Sequence, residues 1–132
     1  MPILWSFLYY RDSGRPGDIR EAHDGGSPKL QAIFRSRLRY LASLEWNDWR
    51  EPQFRRLHGD LAGLGELRFK GDGVEQRPLG FVSGPHEFTF VFWATEKGNK
   101  FVPRSAGTAA LLRKSEALAD RSLASALWFA LE

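Results

Sequence analysis

The sequence predicts an α+β fold in which a small, mostly antiparallel sheet is flanked by helices. Three observations lead to this prediction. Residues 64–95 contain three segments of strand-like composition separated by Gly-rich turns. Residues 27–46 repeat apolar side chains at helical spacing after a Ser-Pro start. An aromatic strand precedes these segments and an Ala- and Leu-rich helix follows them. At 132 residues the chain suits a single domain, 1–132.

Composition excludes several classes of function. The sequence contains no cysteine, which excludes disulfides, thiolate zinc sites and cysteine nucleophiles. Nowhere do about 18 apolar residues run together, and the start lacks the pattern of a signal peptide. We therefore expect a soluble, cytoplasmic protein with no membrane partner. The net charge of +3 becomes informative about nucleic acid only where basic residues cluster.

The amino-terminal half is predicted to supply one strand and the helical cover of the sheet. Ser27-Pro28 places an N-cap residue before a proline that fits the first helical turn. A second short helix, from Glu51-Pro52 to His58-Gly59, would complete a helical hairpin on one face of the sheet. The first predicted elements are a strand over Ile3–Tyr10 and an irregular loop insertion over 11–27 with a helical turn near Ile19–His23. A helix then extends from Ser27 to about 46–48, and the second helix follows it. The apolar face of the first helix consists of Leu30, Ile33, Phe34, Leu38 and Leu41.

The next segment is predicted to form a three-stranded meander at the centre of the fold. Gly71-Asp72-Gly73 is typical of a tight hairpin turn, whereas Pro78 and Gly80 indicate an edge or a bulge in the middle strand. The aromatic run at 87–95 indicates burial on both faces and a central position. The predicted strands are Leu64–Lys70, Val74–Val82 and Glu87–Thr95, followed by a polar loop over Glu96–Arg104 and by a C-terminal helix and tail over 105–132, with Leu111, Leu112, Leu118, Leu123 and Leu127 as its apolar side.

Three short motifs in this region resemble the RelE/ParE toxin superfamily, and within it the phage-derived HigB-like group. Family members commonly show an L-x-E-L-R strand, an Arg-bearing middle strand, an apolar third strand and a Lys-rich loop before a helix. The resemblance extends over about 27–119, and Pro78 and Gly80 depart from the regular middle strand of the family. The matching residues are Leu64-Gly65-Glu66-Leu67-Arg68, Gln76-Arg77-Pro78-Leu79-Gly80-Phe81, Phe90-Val91-Phe92-Trp93-Ala94, and then Lys97 and Lys100.

The resemblance implies a toxin of a type II toxin–antitoxin pair. Such a toxin cleaves messenger RNA, usually on the ribosome and without a metal or other cofactor, and a neighbouring gene encodes its antitoxin, here expected to be a helix-turn-helix protein. Relatives of the ParE type inhibit DNA gyrase instead, so a non-catalytic gyrase inhibitor is one alternative. A degenerate phage or mobile-element protein that only binds a partner is another. The oligomeric state is left open, and so is whether the apolar residues of the tail pack within the chain or on a second copy; these residues are Leu123, Leu127, Trp128, Phe129 and Leu131.

RNA cleavage through the 2′-hydroxyl requires a base, a cation that stabilises the phosphate, and an acid for the leaving oxygen. The resemblance places Arg77 on the scissile phosphate and Lys97 or Lys100 in the role of the loop cation. It makes Arg68 a further candidate for the substrate backbone. It also predicts that Arg77→Ala abolishes toxicity while the fold persists. The structural alternatives are an ion pair between Arg68 and a helix carboxylate, and solvated loop charges for the two lysines.

Three more residues are candidates for contacting RNA: Lys70, His86 and Arg104. His86 lies in a predicted turn, where it could transfer protons or simply be exposed. Lys70 lies beside another predicted turn, where its alternative role is solubility. A metal site is not expected, because no two histidines share metal-ligand spacing and no H-E-x-x-H motif occurs.

The predicted helical hairpin carries a group of arginines and two tryptophans. The arginines could contact ribosomal RNA or an acidic antitoxin segment, or form a solvated face. Trp46 and Trp49 could stack on bases, but Trp46 continues the apolar stripe of the first helix and is expected in the core. His58 ends the second predicted helix, where a cation would cap it. The arginines are Arg35, Arg37, Arg39, Arg50, Arg55 and Arg56.

Overall fold

The computed structural model describes residues 2–11 and 14–131, and in it one sheet separates two helical layers. The α+β class with a mostly antiparallel sheet is confirmed. The helices are α1 (Ile19–Asp24), α2 (Pro28–Ala42) and α3 (Ala106–Ala119), with single 3₁₀ turns at Trp46–Asp48, Gly59–Leu61 and Arg121–Leu123. The strands are β1 (Ser6–Tyr10), β2 (Phe54–Arg56), β3 (Gly65–Leu67), β4 (Phe69–Gly71), β5 (Val74–Gly84), β6 (Glu87–Lys97), β7 (Lys100–Val102) and β8 (Ala124–Ala126).

The long hairpin of β5 and β6 is the centre of the sheet. The strand order is β2-β3-β5-β6-β1-β8, with β4 pairing with β5 and β7 pairing with β6. The β1–β6 pair is parallel and the other pairs are antiparallel. The aromatic strand at 87–97 therefore has the central position predicted for it. The middle strand β5 is internal rather than at an edge, and its register shift at Leu79/Gly80 is the predicted irregularity. A second shift, at Val82/Gly84, was not predicted.

The face of the sheet under α1 and α2 carries the larger core. Phe34 and Leu38 on the inner side of α2 are fully buried, as the helical spacing predicts. The Ser27 hydroxyl accepts a hydrogen bond from the Leu30 amide and so caps α2 as expected. Trp49 is buried, and its indole nitrogen donates to the Leu41 carbonyl at 2.8 Å, so it lies in the core rather than on an open surface.

The opposite face packs against α3, and the residues that make this contact differ from the prediction. The buried side of α3 consists of small residues and one arginine: Ala106, Gly107, Ala110, Arg113 and Ala117. Leu112 and Leu118, predicted to be apolar contacts, are instead 57 % and 53 % exposed. Small side chains let the helix lie close to the large aromatic residues of the sheet. Arg113 adds bonds from its guanidinium to the carbonyls of Val91 and Pro16.

The prediction of a second helix, from Glu51-Pro52 to His58-Gly59, is wrong, because residues 54–56 form strand β2. Phe54 lies opposite Leu67, and its ring covers Gly65 so closely that a Cβ there would be 2.1 Å from the Phe54 Cζ. The Phe54 ring thus occupies the space that a side chain at position 65 would need. Two apolar residues at helical spacing, Phe54 and Leu57, are too few to decide between helix and strand. The helices that contact each other on this face are α1 and α2.

The predicted polar loop over 96–104 is also more regular than expected. It contains a hairpin in which Lys97 pairs with Lys100 across Gly98 and Asn99. Both turn residues have positive φ, 58° and 62°, which is the requirement of a type I′ two-residue turn. A Gly-Asn pair is itself a sequence indication of such a turn.

The long helix and the tail end differently from the prediction. Helix α2 ends at Ala42, before the predicted end at 46–48, and a 3₁₀ turn follows it. Helix α3 ends at Ala119, and the tail returns to the sheet as β8, antiparallel to β1. Asp12 and Ser13, within the predicted loop over 11–27, and Glu132 of the tail lie outside the described residues. Within the described residues, no helix has the length and apolar character needed to cross a membrane.

Candidate functional site

A group of charged side chains converges on the α3 side of the sheet, at its β6–β7 end. Alternation along β5 places Glu75 and Arg77 on one face. The register sets Glu75 opposite Glu96 and Arg77 opposite Ala94, so Glu96 points to that face as well. Glu66 comes from β3, where it lies opposite Leu79. Three neighbouring strands therefore bring three glutamates around one arginine.

Arg77 is buried, and each nitrogen of its guanidinium has a partner. Nε donates to Glu96 Oε1 at 3.0 Å, Nη1 to the Gln76 carbonyl at 2.9 Å, and Nη2 to Glu75 Oε2 at 3.4 Å. Its side chain is 4 % exposed. A guanidinium held in this way is not free to bind a phosphate, the role that the family resemblance implies for Arg77. In this structure Arg77 joins three strands by ionic contacts.

Glu66 is the most deeply buried carboxylate of the cluster, at 2 % exposure. Its Oε1 accepts a bond from Arg68 Nη1 at 2.7 Å, while its Oε2 lies 3.9 Å from Arg77 Nε and accepts no hydrogen bond. Burial raises the pKa of Glu66 above its ordinary value, although Arg68 and Arg77 both oppose the shift. Desolvation is the larger effect, since Glu66 is 2 % exposed and Arg77 stands 3.9 Å from its Oε2. Arg68, which lies between β3 and β4, is thus ion-paired with a carboxylate on β3 rather than on a helix.

A pocket of about 270 Å³ opens beside this cluster, and we call it the Glu66 pocket. Its acidic residues are Glu66, which is buried, and Glu96, which is partly exposed, whereas Arg55, His58 and Asn99 are exposed and form its mouth. The remaining lining is largely apolar. The pocket is lined by Arg55, Arg56, Leu57, His58, Leu61, Glu66, Glu96, Asn99 and Phe101.

Local structure explains how the mouth of the pocket is built. Arg55 lies opposite Glu66 in the β2–β3 pair, so both point to the α3 side. His58 precedes the 3₁₀ turn Gly59–Leu61, and Leu61 contacts α3, since a Cβ on Gly107 would lie 2.8 Å from its side chain. The sequence suggested that His58 caps the end of a helix, and this prediction is wrong because no helix ends there. Asn99 comes from the tight β6–β7 turn.

The two lysines predicted to be catalytic are exposed in the same turn. Lys97 and Lys100 pair with each other across the hairpin, directly beside Asn99 at the mouth of the pocket. Both are free to meet an anionic ligand. Of the four residues predicted to be catalytic, the two lysines are thus exposed, whereas Arg68 and Arg77 are ion-paired with glutamates.

The three predicted RNA-contacting residues do not come together. Lys70 is exposed on β4, where it lines a shallow pocket with Lys29 and Arg37. Arg104 is exposed in the turn before α3. His86 lies in the β5–β6 turn at the far end of the hairpin, roughly 20 Å or more from Arg77 at about 3.3 Å per strand residue. There its Nε2 is 3.1 Å from Glu45 and its ring packs edge-on against Trp5.

The arginines of the predicted basic group are partly engaged in packing. Arg35 lies over the Phe129 ring at 4.2 Å, and Arg39 donates to the Leu131 carbonyl. Arg56 lies over Trp46 at 4.2 Å and donates to its carbonyl. Trp46 is half-buried and packs against the core, as predicted. Of the arginines on the turn and strand at 50–56, Arg50 and Arg55 remain exposed.

The sequence did not predict this pocket. Arg55, Arg56 and His58 were named, but for other roles. Glu66 and Glu96 were not among the candidates. One indication was present for Glu66, because a glutamate between Gly65 and Leu67 in a buried strand must either be paired or act chemically. His58 and Arg55 could not be found in this way, since they reach the pocket only because residues 54–56 form a strand.

The donor set of this site does not suggest a metal. Among residues 2–11 and 14–131, no group of three His, Asp or Glu side chains is arranged to hold a metal ion. The two carboxylates of the pocket already face arginines, which supply the positive charge that an ion would bring. In comparisons with models of known protein families, with characterised proteins and with solved structures, nothing matched this chain.

Proposed function

We propose that this chain is the toxin of a type II toxin–antitoxin pair and acts in the cytoplasm as a metal-independent endoribonuclease on messenger RNA. The observation that carries the proposal is the Glu66 pocket, where an exposed imidazole and an exposed guanidinium lie beside acidic groups at the end of the sheet that carries the toxin-like motifs. The basic turn of Lys97 and Lys100 extends the same surface. The resemblance implies that RNA binds at this end, and the pocket contains groups that can transfer a proton and neutralise a phosphate.

The roles in this proposal differ from those implied by the resemblance. His58 takes the proton of the 2′-hydroxyl as its oxygen attacks phosphorus, since the free nitrogen of a neutral imidazole accepts a proton. The bond from phosphorus to the 5′-oxygen then breaks, and that oxygen takes a proton from water at the mouth of the pocket. Arg55 and Lys100 neutralise the phosphate. Arg77 and Arg68 hold the strands that position these groups.

The test uses induced expression in bacterial cells. We expect growth arrest, with new 5′ ends in cellular transcripts by primer extension. His58→Ala should lower cleavage about 10²–10⁴-fold, the usual range for a proton-transfer group. His86→Ala is the matched control, because His86 is also exposed but lies at the opposite end of the hairpin, and it should remain toxic. Cleavage by the purified protein should persist in a metal chelator.

Binding without catalysis is a second candidate function, favoured by the occupied guanidinium of Arg77. Its three nitrogens already have partners within the chain, so the group that the resemblance assigns to the scissile phosphate is not available. A chain that causes no growth arrest, but is bound by a helix-turn-helix protein encoded beside it, would support this function. Growth arrest with a DNA-damage response and intact transcripts would instead indicate inhibition of gyrase.

A further inference from the structure

The Glu66 pocket has an arrangement of charge that selects among ligands. Its inner part holds two carboxylates, and its mouth carries Arg55 and His58. The carboxylates would repel a simple anion inside the pocket, and the guanidinium of Arg55 would repel a simple cation at the mouth. The arrangement suits a ligand with hydrogen-bond donors at one end and negative charge at the other.

Two carboxylate oxygens in the pocket residues have unused acceptor capacity. Glu66 Oε2 is buried and accepts no hydrogen bond from the described residues. Among residues 2–11 and 14–131, Glu96 has a hydrogen-bond partner only at Oε1, which accepts from Arg77 Nε at 3.0 Å, and its side chain is 19 % exposed. An ionised carboxylate has about four acceptor positions, so the pair is far from saturated. Glu66 Oε2 has almost no accessible surface, so the acceptor positions that a ligand can reach are those of Glu96.

The size and lining of the pocket favour a flat ring. Its volume of about 270 Å³ is slightly below the roughly 300–1,000 Å³ that is usual for drug-sized ligands. Phe101, Leu57 and Leu61 supply an aromatic ring and two aliphatic side chains for contact with the ring faces. Such walls accept any base, so the choice among bases falls to the carboxylates.

We propose that the Glu66 pocket binds a guanine base of the RNA, with the Glu96 carboxylate accepting from its N1–H and 2-amino groups and with Arg55 and His58 on the adjoining phosphate. Guanine is the base that presents two neighbouring donors on one edge. Adenine and cytosine present a donor beside an acceptor, and the N3–H of uracil lies between two acceptors. The inference rests on the proposed function for its biological setting, but it concerns binding and not cleavage.

The first experiment measures binding of nucleoside 3′-monophosphates to the unaltered chain by calorimetry. Guanosine 3′-monophosphate should bind roughly tenfold or more tightly than its adenosine counterpart, as for other paired-donor contacts to bases. The inosine nucleotide, which lacks the 2-amino group, should lie between them. Equal affinities for guanosine and adenosine nucleotides would overturn the proposal. So would binding of argininamide in place of nucleotides, because that would indicate the basic side chain of a protein partner.

The second experiment uses matched variants. Glu96→Gln replaces one acceptor oxygen by a donor and should remove the preference for guanosine. Glu75→Gln is the control, because Glu75 lies opposite Glu96 and also contacts Arg77 but does not line the pocket; it should keep the preference. Undiminished preference in Glu96→Gln would contradict the proposal. Circular dichroism checks that both variants fold, and the comparison of nucleotides on the unaltered chain needs no variant.

The two proposals fail separately. A chain that binds guanosine nucleotides selectively but causes no growth arrest supports the guanine pocket and removes the toxin function. A chain that cleaves transcripts without regard to guanine, and binds all four nucleotides alike, supports the toxin function and removes the guanine pocket.

Discussion

Arg77 and Glu66 are two ionisable side chains that the fold holds away from water. Removing a charge from water costs several kcal/mol, and only close partners offset that cost. Arg77 has Glu96, Glu75 and a carbonyl group as partners, and Glu66 has Arg68. The cluster is therefore stable as a unit, and loss of one member leaves the others buried without compensation.

This dependence predicts that Arg77→Ala unfolds the protein more readily. We expect a loss of about 3–5 kcal/mol in the free energy of unfolding, the range for removal of one partner of a buried ion pair. Urea denaturation followed by tryptophan fluorescence measures it. Lys97→Ala, at an exposed turn position, is the control and should change stability by less than about 0.5 kcal/mol. An Arg77→Ala protein of normal stability that has lost toxicity would restore the phosphate-binding role of Arg77.

Glu66 predicts a particular dependence of stability on pH. Its pKa is raised in the folded state, so the folded protein binds this proton more tightly than the unfolded chain. Its contribution favours folding below the ordinary value of 4.5 and is lost as the pH rises through the raised pKa. Urea denaturation should therefore show the stability of the wild type, relative to Glu66→Gln, falling as the pH increases from 4.5. The same comparison with Ser36→Ala, which removes no ionisable group, should be independent of pH. A difference that grows with pH would show that the arginines, not burial, control Glu66.

At the scale of elements, long periodic segments were predictable and short ones were not. Helix α2 has a capping serine and five apolar residues at helical spacing, so local and tertiary preferences agree. Strand β2 has three residues, and its conformation depends on Gly65, which is distant in sequence. For the same reason the candidate site was only half predictable. Its end of the sheet follows from the motifs, but its pocket depends on β2.

The contact between Phe54 and Gly65 predicts a strong effect of one methyl group. Gly65→Ala would place a Cβ 2.1 Å from the Phe54 Cζ, and both residues are buried. Overpacking of this kind costs about 1–3 kcal/mol. The double variant Gly65→Ala/Phe54→Leu should recover part of that loss relative to the sum of the two single variants. Thermal denaturation of the four proteins gives the coupling, and strict additivity would show that the ring does not occupy the place of the glycine side chain.

At the scale of the whole molecule, the carboxyl-terminal tail closes the larger core. The sequence left open whether its apolar residues pack within the chain or on a second copy. In the structure β8 pairs with β1, and the Trp128 ring meets those of Tyr9 and His23 at 5.0 and 5.1 Å. Phe129 stacks on His23 at 5.6 Å, beneath the guanidinium of Arg35. The tail thus covers the α1–α2 layer from the side, and one chain satisfies its own apolar surface there.

This arrangement predicts that the tail stabilises the isolated chain. Trp128→Ala should lower the free energy of unfolding by about 1–3 kcal/mol, less than for a fully buried tryptophan because its side chain is half-buried. Leu112→Ala is the control, since Leu112 is 57 % exposed on α3 and should change stability by less than about 0.5 kcal/mol. Denaturation at two protein concentrations separates the two uses of the tail. If the tail packs within the chain, the loss is the same at both concentrations, because no second copy takes part in unfolding. A loss that depends on concentration would mean that Trp128 also holds two chains together.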